Sequence, residues 1–111
     1  MPELPEVEVL VRQLRPWLVS RTVHTVLVCR AKALAPTTPR QFARTLGGAV
    51  FTNLRRRGKY LRFALRSIRP AESFELLGHL GMTGRMYLQP TTASLPEHAV
   101  VALGLGAETF V

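Results

Sequence analysis

Glycine-containing turns divide the second half of the sequence into short segments with the composition of β-strands. Segments of this length, rich in β-branched and aromatic residues and bounded by glycine, are typical of strands joined by tight turns. They are predicted over residues 49–56 and 59–66 around Arg57-Gly58, 74–80 and 85–89 around the 81–84 loop, and 98–103 and 107–111 around Gly104-Leu105-Gly106. Many short strands of this kind predict a small β-sandwich or barrel.

The N-terminal segment has the pattern of a helix. Apolar residues at positions 7, 10, 11 and 14 recur at helical spacing and predict an amphipathic helix from Pro5 to Arg15. Pro16 is expected to end or kink this helix, because proline lacks the backbone N–H that a helix interior needs. Trp17 and Leu18, which follow, are interpreted as core or packing residues.

One more strand and one more helix are predicted before the first glycine turn. Residues 22–29 are β-branched and alternate with a period near two, as in a strand. Thr38 is suited to cap a short second helix with Pro39 at its first position, which runs to Leu46 and stops at Gly47-Gly48.

Arginine dominates the charge of the chain. There are 15 lysine and arginine residues against seven glutamates, which gives a net charge of +8 and a pI near 11.3. Only Lys32 and Lys59 are lysines, so most of the cations are guanidinium groups, whose planar fork suits phosphate. The predicted partner is therefore a polyanion, above all nucleic acid.

Composition also argues against several other classes of protein. With 111 residues, 47% of them hydrophobic, residues 1–111 have room for one globular domain with a modest core. Cys29 is the only cysteine, which excludes an internal disulfide and a cysteine-rich zinc site, and the three histidines lack the spacing of a metal motif. No apolar run approaches the roughly 20 residues that cross a bilayer, so a cytoplasmic location is expected.

The first residues carry unusual chemistry. Removal of Met1 would leave Pro2 with a terminal secondary amine that is partly neutral near pH 7 and reacts with aldehyde-like carbon to form an iminium. Glu3 beside it can move a proton, and Glu6 returns toward the same side on an opening helix. The simpler interpretation is a helix start, since Pro5 and the glutamates suit a first helical turn, but it leaves Pro2 and Glu3 unexplained.

Two internal segments are candidates for contact with nucleic acid. Arg55-Arg56-Arg57-Gly58-Lys59-Tyr60 groups four cations around a glycine that allows close approach of phosphate to the backbone; the alternative is a solvated basic turn. In His79-Leu80-Gly81-Met82-Thr83-Gly84-Arg85, Met82 can insert into a base stack and fill the gap left by a flipped nucleotide, or it can belong to the core.

Together these segments resemble the bacterial formamidopyrimidine-DNA glycosylases. The resemblance rests on Met1-Pro2-Glu3-Leu4-Pro5-Glu6-Val7-Glu8, Arg57-Gly58-Lys59-Tyr60-Leu61 and His79-Leu80-Gly81-Met82-Thr83-Gly84, in this order and spacing. It implies an α+β, mostly β fold, with a two-sheet β-sandwich flanked by the N-terminal helix and a second short helix. It also implies a bifunctional enzyme that removes oxidised purines, such as 8-oxoguanine and formamidopyrimidines, and then cuts the abasic strand by β,δ-elimination.

The resemblance assigns roles to individual residues. Pro2 would attack the deoxyribose C1′ and form the Schiff base, and Glu3 would give and take protons. Glu6 would support the site, and Lys59 would contact the phosphate beside the lesion. The remaining implied DNA contacts are Arg57, His79, His98, and Met82 in the gap left by the extruded base.

The same resemblance implies what surrounds this segment in a longer parent. Residues 1–111 are expected to be an N-terminal catalytic domain, shortened before an arginine- and phenylalanine-bearing loop, a helix-two-turn-helix region and a zinc finger. No cofactor is expected in this chain, and zinc is expected in the remaining part of the parent. The implied partner is double-stranded DNA with oxidised purines or abasic sites, bound by a monomeric parent without a membrane. The segment alone is expected to be weak or inactive.

Three other functions stay open. An oxidised-pyrimidine glycosylase of the endonuclease VIII type usually has glycine in place of Leu4 and lacks the His79 to Gly84 loop. Tautomerase-like proteins use a terminal proline as a general base on small acids, but they lack the basic hairpin and the apolar wedge. A non-catalytic DNA-binding module would not need Pro2 and Glu3.

Overall fold

The computed structural model describes residues 4–68, 70–79, 86–97 and 99–111. In these residues short strands predominate and are joined by tight turns and two α-helices. The elements are α1 (Leu4–Leu18), β1 (Thr25–Val28), a 3₁₀ turn (Ala31–Leu34), α2 (Pro39–Leu46), β2 (Val50–Arg57), β3 (Tyr60–Ser67), β4 (Glu72–His79), β5 (Leu88–Pro90), β6 (Val101–Gly104) and β7 (Glu108–Phe110).

The chain forms two compact units, each built from two separate segments. The first unit combines Met1–Arg21 with Val50–Arg85, and the second combines Thr22–Ala49 with Met86–Val111. The first unit contains α1 and an antiparallel sheet in the order β2-β3-β4. The second contains α2 and an antiparallel sheet in the order β1-β6-β7-β5. The predicted fold class, α+β and mostly β with two sheets and two helices, is confirmed.

The core of the first unit lies between α1 and one face of its sheet. Side chains at helical spacing on α1 are buried, namely Val7, Val11, Leu14 and Leu18, and α1 packs on β2 and β3. On β3, Leu61, Phe63 and Leu65 alternate into the same core, as the period of a strand requires. A β-bulge between Phe51 and Asn53 shifts the alternation of β2, so that both Phe51 and Leu54 are buried although three positions separate them.

The structure corrects two expectations at the end of α1. Pro16 does not end the helix, which continues to Leu18 because Leu18 completes the buried stripe at 1% exposure. Trp17 is not a core residue: it lies on a different face of the helix from Leu18 and is 58% exposed.

Ser20 ends α1 in a conformation that favours glycine. Its φ of +74° is left-handed, and its N–H donates to the carbonyl oxygen of Phe51 at 2.7 Å. Ser20→Gly is expected to raise the free energy of unfolding by about 0.5–1 kcal/mol, because relief of left-handed strain exceeds the added freedom of glycine in the unfolded chain. Urea unfolding measures the change. Ser73→Gly, on β4, is the control and should lower stability; a loss at both positions would contradict the prediction.

The second unit confirms the predicted second helix and last hairpin. The hydroxyl of Thr38 accepts from the N–H of Gln41 at 3.1 Å, and the Gln41 side chain accepts from the Thr38 N–H at 3.0 Å, which forms a complete capping box. β6 and β7 are shorter than predicted and pair through Leu103 and Phe110. Gly104 lies opposite Thr25 on β1, where a Cβ would overlap the threonine side chain, so the close pairing requires glycine.

The other strand predictions hold with shifted boundaries. β2 and β3 begin and end within one residue of the predicted segments, whereas β4 begins earlier, at Glu72. The predicted strand over residues 22–29 is observed only at Thr25–Val28, and the one over residues 85–89 corresponds to Leu88–Pro90. β4 and β5, although close in sequence, belong to different sheets.

Candidate functional site

The turn between β2 and β3 presents Lys59 to solvent. Arg57 and Tyr60 are the last paired residues, so Gly58 and Lys59 form a two-residue hairpin turn rather than the Arg57-Gly58 turn read from the sequence. Gly58 has a φ of +59°, the positive value that the first central residue of a type II′ turn requires. Both turn residues are exposed, so the ammonium group of Lys59 projects from a rigid hairpin with no core role.

Three exposed side chains form a row across the end of the first sheet. Arg57 on β2 pairs with Tyr60 on β3, which pairs with His79 on β4. The rings of Tyr60 and His79 lie 5.0 Å apart between centroids at an interplanar angle of 43°. With Lys59 adjacent in the turn, this basic row combines cations with aromatic surface, a combination that suits a nucleic-acid backbone and its bases. The fold thus brings together Arg57, Lys59 and His79, which the sequence identified separately.

Strand alternation divides the three consecutive arginines between two faces of the sheet. Arg57 is on the face of the basic row, and Arg55 shares that face because it lies two positions away on the same strand. Arg56 points to the α1 side, where its Nε donates to Glu8 Oε2 at 2.8 Å. The sequence analysis grouped Arg56 with the cations predicted to grip phosphate, whereas in the structure it is paired with Glu8 at the surface of the same unit.

Glu8 accepts hydrogen bonds from two arginines, in addition to its favourable position in the first half of α1. Arg56 lies 2.8 Å from it, and Arg12 lies 3.3 Å from it one helical turn away. The hydrogen bond from Arg56, followed by the positive charge of Arg12, holds the pKa of Glu8 below its ordinary value of 4.5. No sequence signal pointed to this contact, because Glu8 and Arg56 are 48 positions apart.

The depressed pKa of Glu8 predicts a stability loss in acid. The stabilisation is fully present above the unfolded pKa of about 4.5 and is lost as pH falls through the lower folded value. The urea midpoint of the wild type is therefore expected to exceed that of Glu8→Gln above about pH 5, with the gap closing below it. Arg56→Gln should remove more of this dependence than Arg12→Gln. A gap that widens in acid would contradict the sign.

The structure leaves four predicted site residues without a position. Pro2, Glu3, Met82 and His98 lie outside the described residues. In the sequence, Pro2 and Glu3 directly precede Leu4, the first residue of α1. Glu6 is exposed in the first turn of α1.

The first unit also has a groove of about 560 Å³, and none of the predicted site residues that the structure describes lines it. It is lined by Arg12, Arg15, Pro16, Val19, Thr52 and Asn53. Its arginines already have protein partners, since Arg12 contacts Glu8 and Arg15 Nε donates to the carbonyl oxygen of Leu54 at 2.9 Å.

The described part of the chain contains no group of three or more His, Cys, Asp or Glu side chains arranged to hold a metal ion. None of its helices combines the length and apolar character needed to cross a bilayer.

Comparison with known proteins identifies the family. The family model of the formamidopyrimidine-DNA glycosylase N-terminal domain matches residues 1–110. The formamidopyrimidine-DNA glycosylase of Thermobifida fusca is 41% identical over 109 residues, which cover 96% of this chain and 35% of that protein. For the Symbiobacterium thermophilum enzyme, the identity is 39% over 105 residues, covering 95% and 32%.

Solved structures give the same result. The Lactococcus lactis Fpg protein in complex with abasic-site DNA superposes with a TM-score of 0.86 and 27% identity, over 98% of this chain and 39% of that one. The complex of wild-type L. lactis Fpg (MutM) with N7-benzyl-Fapy-dG DNA gives 0.86 and 28%, over 98% and 38%. The chain thus spans about a third of the length of its curated relatives. By sequence and fold, it belongs to the formamidopyrimidine-DNA glycosylase family, whose N-terminal domain it matches.

Proposed function

We propose that this chain is the catalytic domain of a DNA base-excision enzyme that removes oxidised purines and then cleaves the abasic strand. Its curated relatives are named formamidopyrimidine-DNA glycosylases, and the L. lactis relative has been crystallised with DNA containing formamidopyrimidine lesions and abasic sites. The single observation that carries the proposal is the basic row with Lys59 at one end of a sheet that packs on α1, the helix that follows Pro2 and Glu3.

The chemistry begins at the terminal amine. The lone pair of the Pro2 nitrogen forms a bond to the deoxyribose C1′ while the glycosidic bond breaks, and the departing base takes a proton from Glu3. Glu3 then takes the proton of the Pro2 nitrogen and gives it to O4′ as the C1′–O4′ bond breaks, so the sugar ring opens to an iminium. The iminium acidifies C2′, and successive β- and δ-eliminations expel the two flanking phosphates. Hydrolysis of the remaining iminium returns the proline. Glu6 supports this site from the first turn of α1.

The remaining predicted residues bind and shape the DNA. Lys59, Arg57 and His79 hold phosphates near the lesion, and the exposed positions of all three suit this role. Met82 occupies the space of the extruded base, which offsets the cost of unstacking, and His98 adds a backbone contact.

The proposal extends to the setting of the domain. The partner is double-stranded bacterial DNA in the cytoplasm, and the parent acts as a monomer. This segment holds no cofactor of its own, and zinc belongs to the remaining part of the parent. The segment alone binds DNA weakly, in a manner that depends steeply on salt.

Borohydride trapping tests the proposed function. The chain, in excess at low salt, is incubated with a labelled duplex that contains one abasic site, and a covalent adduct is expected. The T. fusca relative is the positive control, and a duplex with a reduced abasic site, which cannot form an imine, is the negative control. Salt-sensitive binding without an adduct would indicate a non-catalytic DNA-binding module. Release of oxidised pyrimidines in preference to 8-oxoguanine would indicate the endonuclease VIII type.

Lys59→Ala is expected to weaken DNA binding without loss of folding. Removal of one phosphate contact should lower the slope of log affinity against log salt by about one unit, uniformly across sequences. The free energy of unfolding should change by no more than about 0.5 kcal/mol, because the side chain is exposed in a turn. The control is Lys32→Ala, which removes the other lysine from the second unit. An equal change in slope at both positions would show that only net charge matters.

A further inference from the structure

A single arginine side chain connects α1 to the turn that carries Lys59. Arg56 Nε donates to Glu8 Oε2 on α1 at 2.8 Å, and its Nη1 donates to the carbonyl oxygen of Gly58 at 3.1 Å. Gly58 is the residue immediately before Lys59, and Glu8 lies about one helical turn beyond Leu4, where α1 begins. The planar guanidinium therefore fixes the turn and the helix by separate hydrogen bonds.

The β-bulge places Arg56 where it can make this connection. After the bulge between Phe51 and Asn53, Leu54 faces the core, and Arg56 follows it on the same side, opposite Leu61. If the strand alternated regularly from Phe51 with no bulge, Arg56 would face the basic row instead.

We propose that Arg56 is a positioning residue for catalysis, which holds the turn that bears Lys59 in place against α1. This inference rests on the proposed function, in which Pro2 attacks C1′ while Lys59 holds the phosphate beside it. Both groups must engage one nucleotide at once, so a shift of the turn relative to α1 moves the sugar away from the amine. A displacement of about 1 Å is enough to cost about 100-fold in rate. Arg56 acts through this geometry and does not itself touch DNA.

The test compares Arg56→Gln with Arg12→Gln. Both substitutions remove one positive charge next to Glu8, but Arg12, with a side chain 73% exposed, contacts the carboxylate without reaching the turn. At saturating protein, the rate of borohydride trapping is expected to fall about 10- to 100-fold for Arg56→Gln. Arg12→Gln should keep the wild-type rate. The slope of log affinity against log salt should stay unchanged in both variants. Neither guanidinium contacts a DNA phosphate, so neither releases a counterion on binding.

A double-mutant cycle with Lys59 separates positioning from general stability. If Arg56 acts through the turn, adding Arg56→Gln to Lys59→Ala should reduce the saturated trapping rate little further, whereas independent effects would multiply. Arg56→Lys keeps the positive charge near Glu8 but cannot make both hydrogen bonds of the planar guanidinium. This variant should therefore have the urea midpoint of the wild type and still form the trapped adduct slowly.

The possible results separate the proposed function of the chain from the positioning role of Arg56. Absence of an adduct from the wild type, at protein concentrations that saturate the abasic duplex and under conditions in which the T. fusca relative forms an adduct, would overturn the proposed function and this inference with it. Trapping by the wild type and, at an equal saturated rate, by Arg56→Gln or Arg56→Lys would overturn only the inference. Multiplicative losses in the cycle with Lys59, or a slowed Arg12→Gln, would also overturn it, since both indicate a general effect on folding or charge.

Discussion

Protein that retains Met1 is expected to give no borohydride-trapped adduct with abasic DNA. In that form the Pro2 nitrogen is a tertiary amide without an available lone pair, and the new terminal amine is displaced by one residue. With Met1 removed, the secondary amine of Pro2 is partly neutral at pH 7 and attacks the sugar. Mass spectrometry of the trapped adduct and of the starting protein gives the terminal residue in each case.

The matched control uses the same preparation. Treatment of the Met1-bearing protein with methionine aminopeptidase should restore trapping in proportion to the fraction of Pro2 termini, with no change in far-UV circular dichroism. Pro2→Gly, which leaves a primary amine, should trap at a reduced rate. Full trapping by protein shown to carry Met1 would refute the proline mechanism.

Phe63→Ala is expected to cause a large loss of stability, about 3–5 kcal/mol in the free energy of unfolding. Phe63 is 1% exposed at the centre of β3, and its ring meets that of Phe51 edge-on, with centroids 6.2 Å apart. Removal of a buried phenylalanine ring costs about 3–5 kcal/mol, because the cavity collapses only in part. Domains of this size have about 5–15 kcal/mol of stability in total, so the loss removes much of it.

Leu77→Ala on β4 is the control for this loss. Leu77 is 62% exposed on the opposite face of the same sheet, and its truncation should change the free energy of unfolding by no more than about 0.5 kcal/mol. Urea unfolding followed by circular dichroism measures both variants. Similar costs at the two positions would mean that the face bearing Leu77 is also covered in solution.

Local sequence signals predicted most of the elements of the fold. Gly58 allows the hairpin turn through its positive φ, and Thr38 with Gln41 caps α2, so these features depend only on neighbouring residues. The end of α1 was predicted incorrectly because burial of Leu18 outweighs the hydrogen bond lost at Pro16. This burial depends on β2, more than 30 positions away, so the sequence of the helix alone does not predict it.

The candidate site was predictable to a similar degree. Lys59 and His79 were identifiable by residue type and spacing, and the pairing of Tyr60 with His79 shows how β3 and β4 bring them together. The engagement of Arg56 by Glu8 was not predictable, because it depends on a bulge that reverses which arginine faces outward. The roles of Pro2, Glu3, Met82 and His98 stay predictions.

Each unit is built from two separate segments of the chain, and this imposes an order on folding during synthesis. Once β4 has left the ribosome, α1 and all three strands of the first sheet are present and can pair. β1, made much earlier, pairs in its sheet with β6, so Thr25–Val28 must wait for Val101–Gly104. During that interval the backbone groups of Thr25–Val28 lack their native partners, so this segment is open to wrong pairing until residues 101–104 are made.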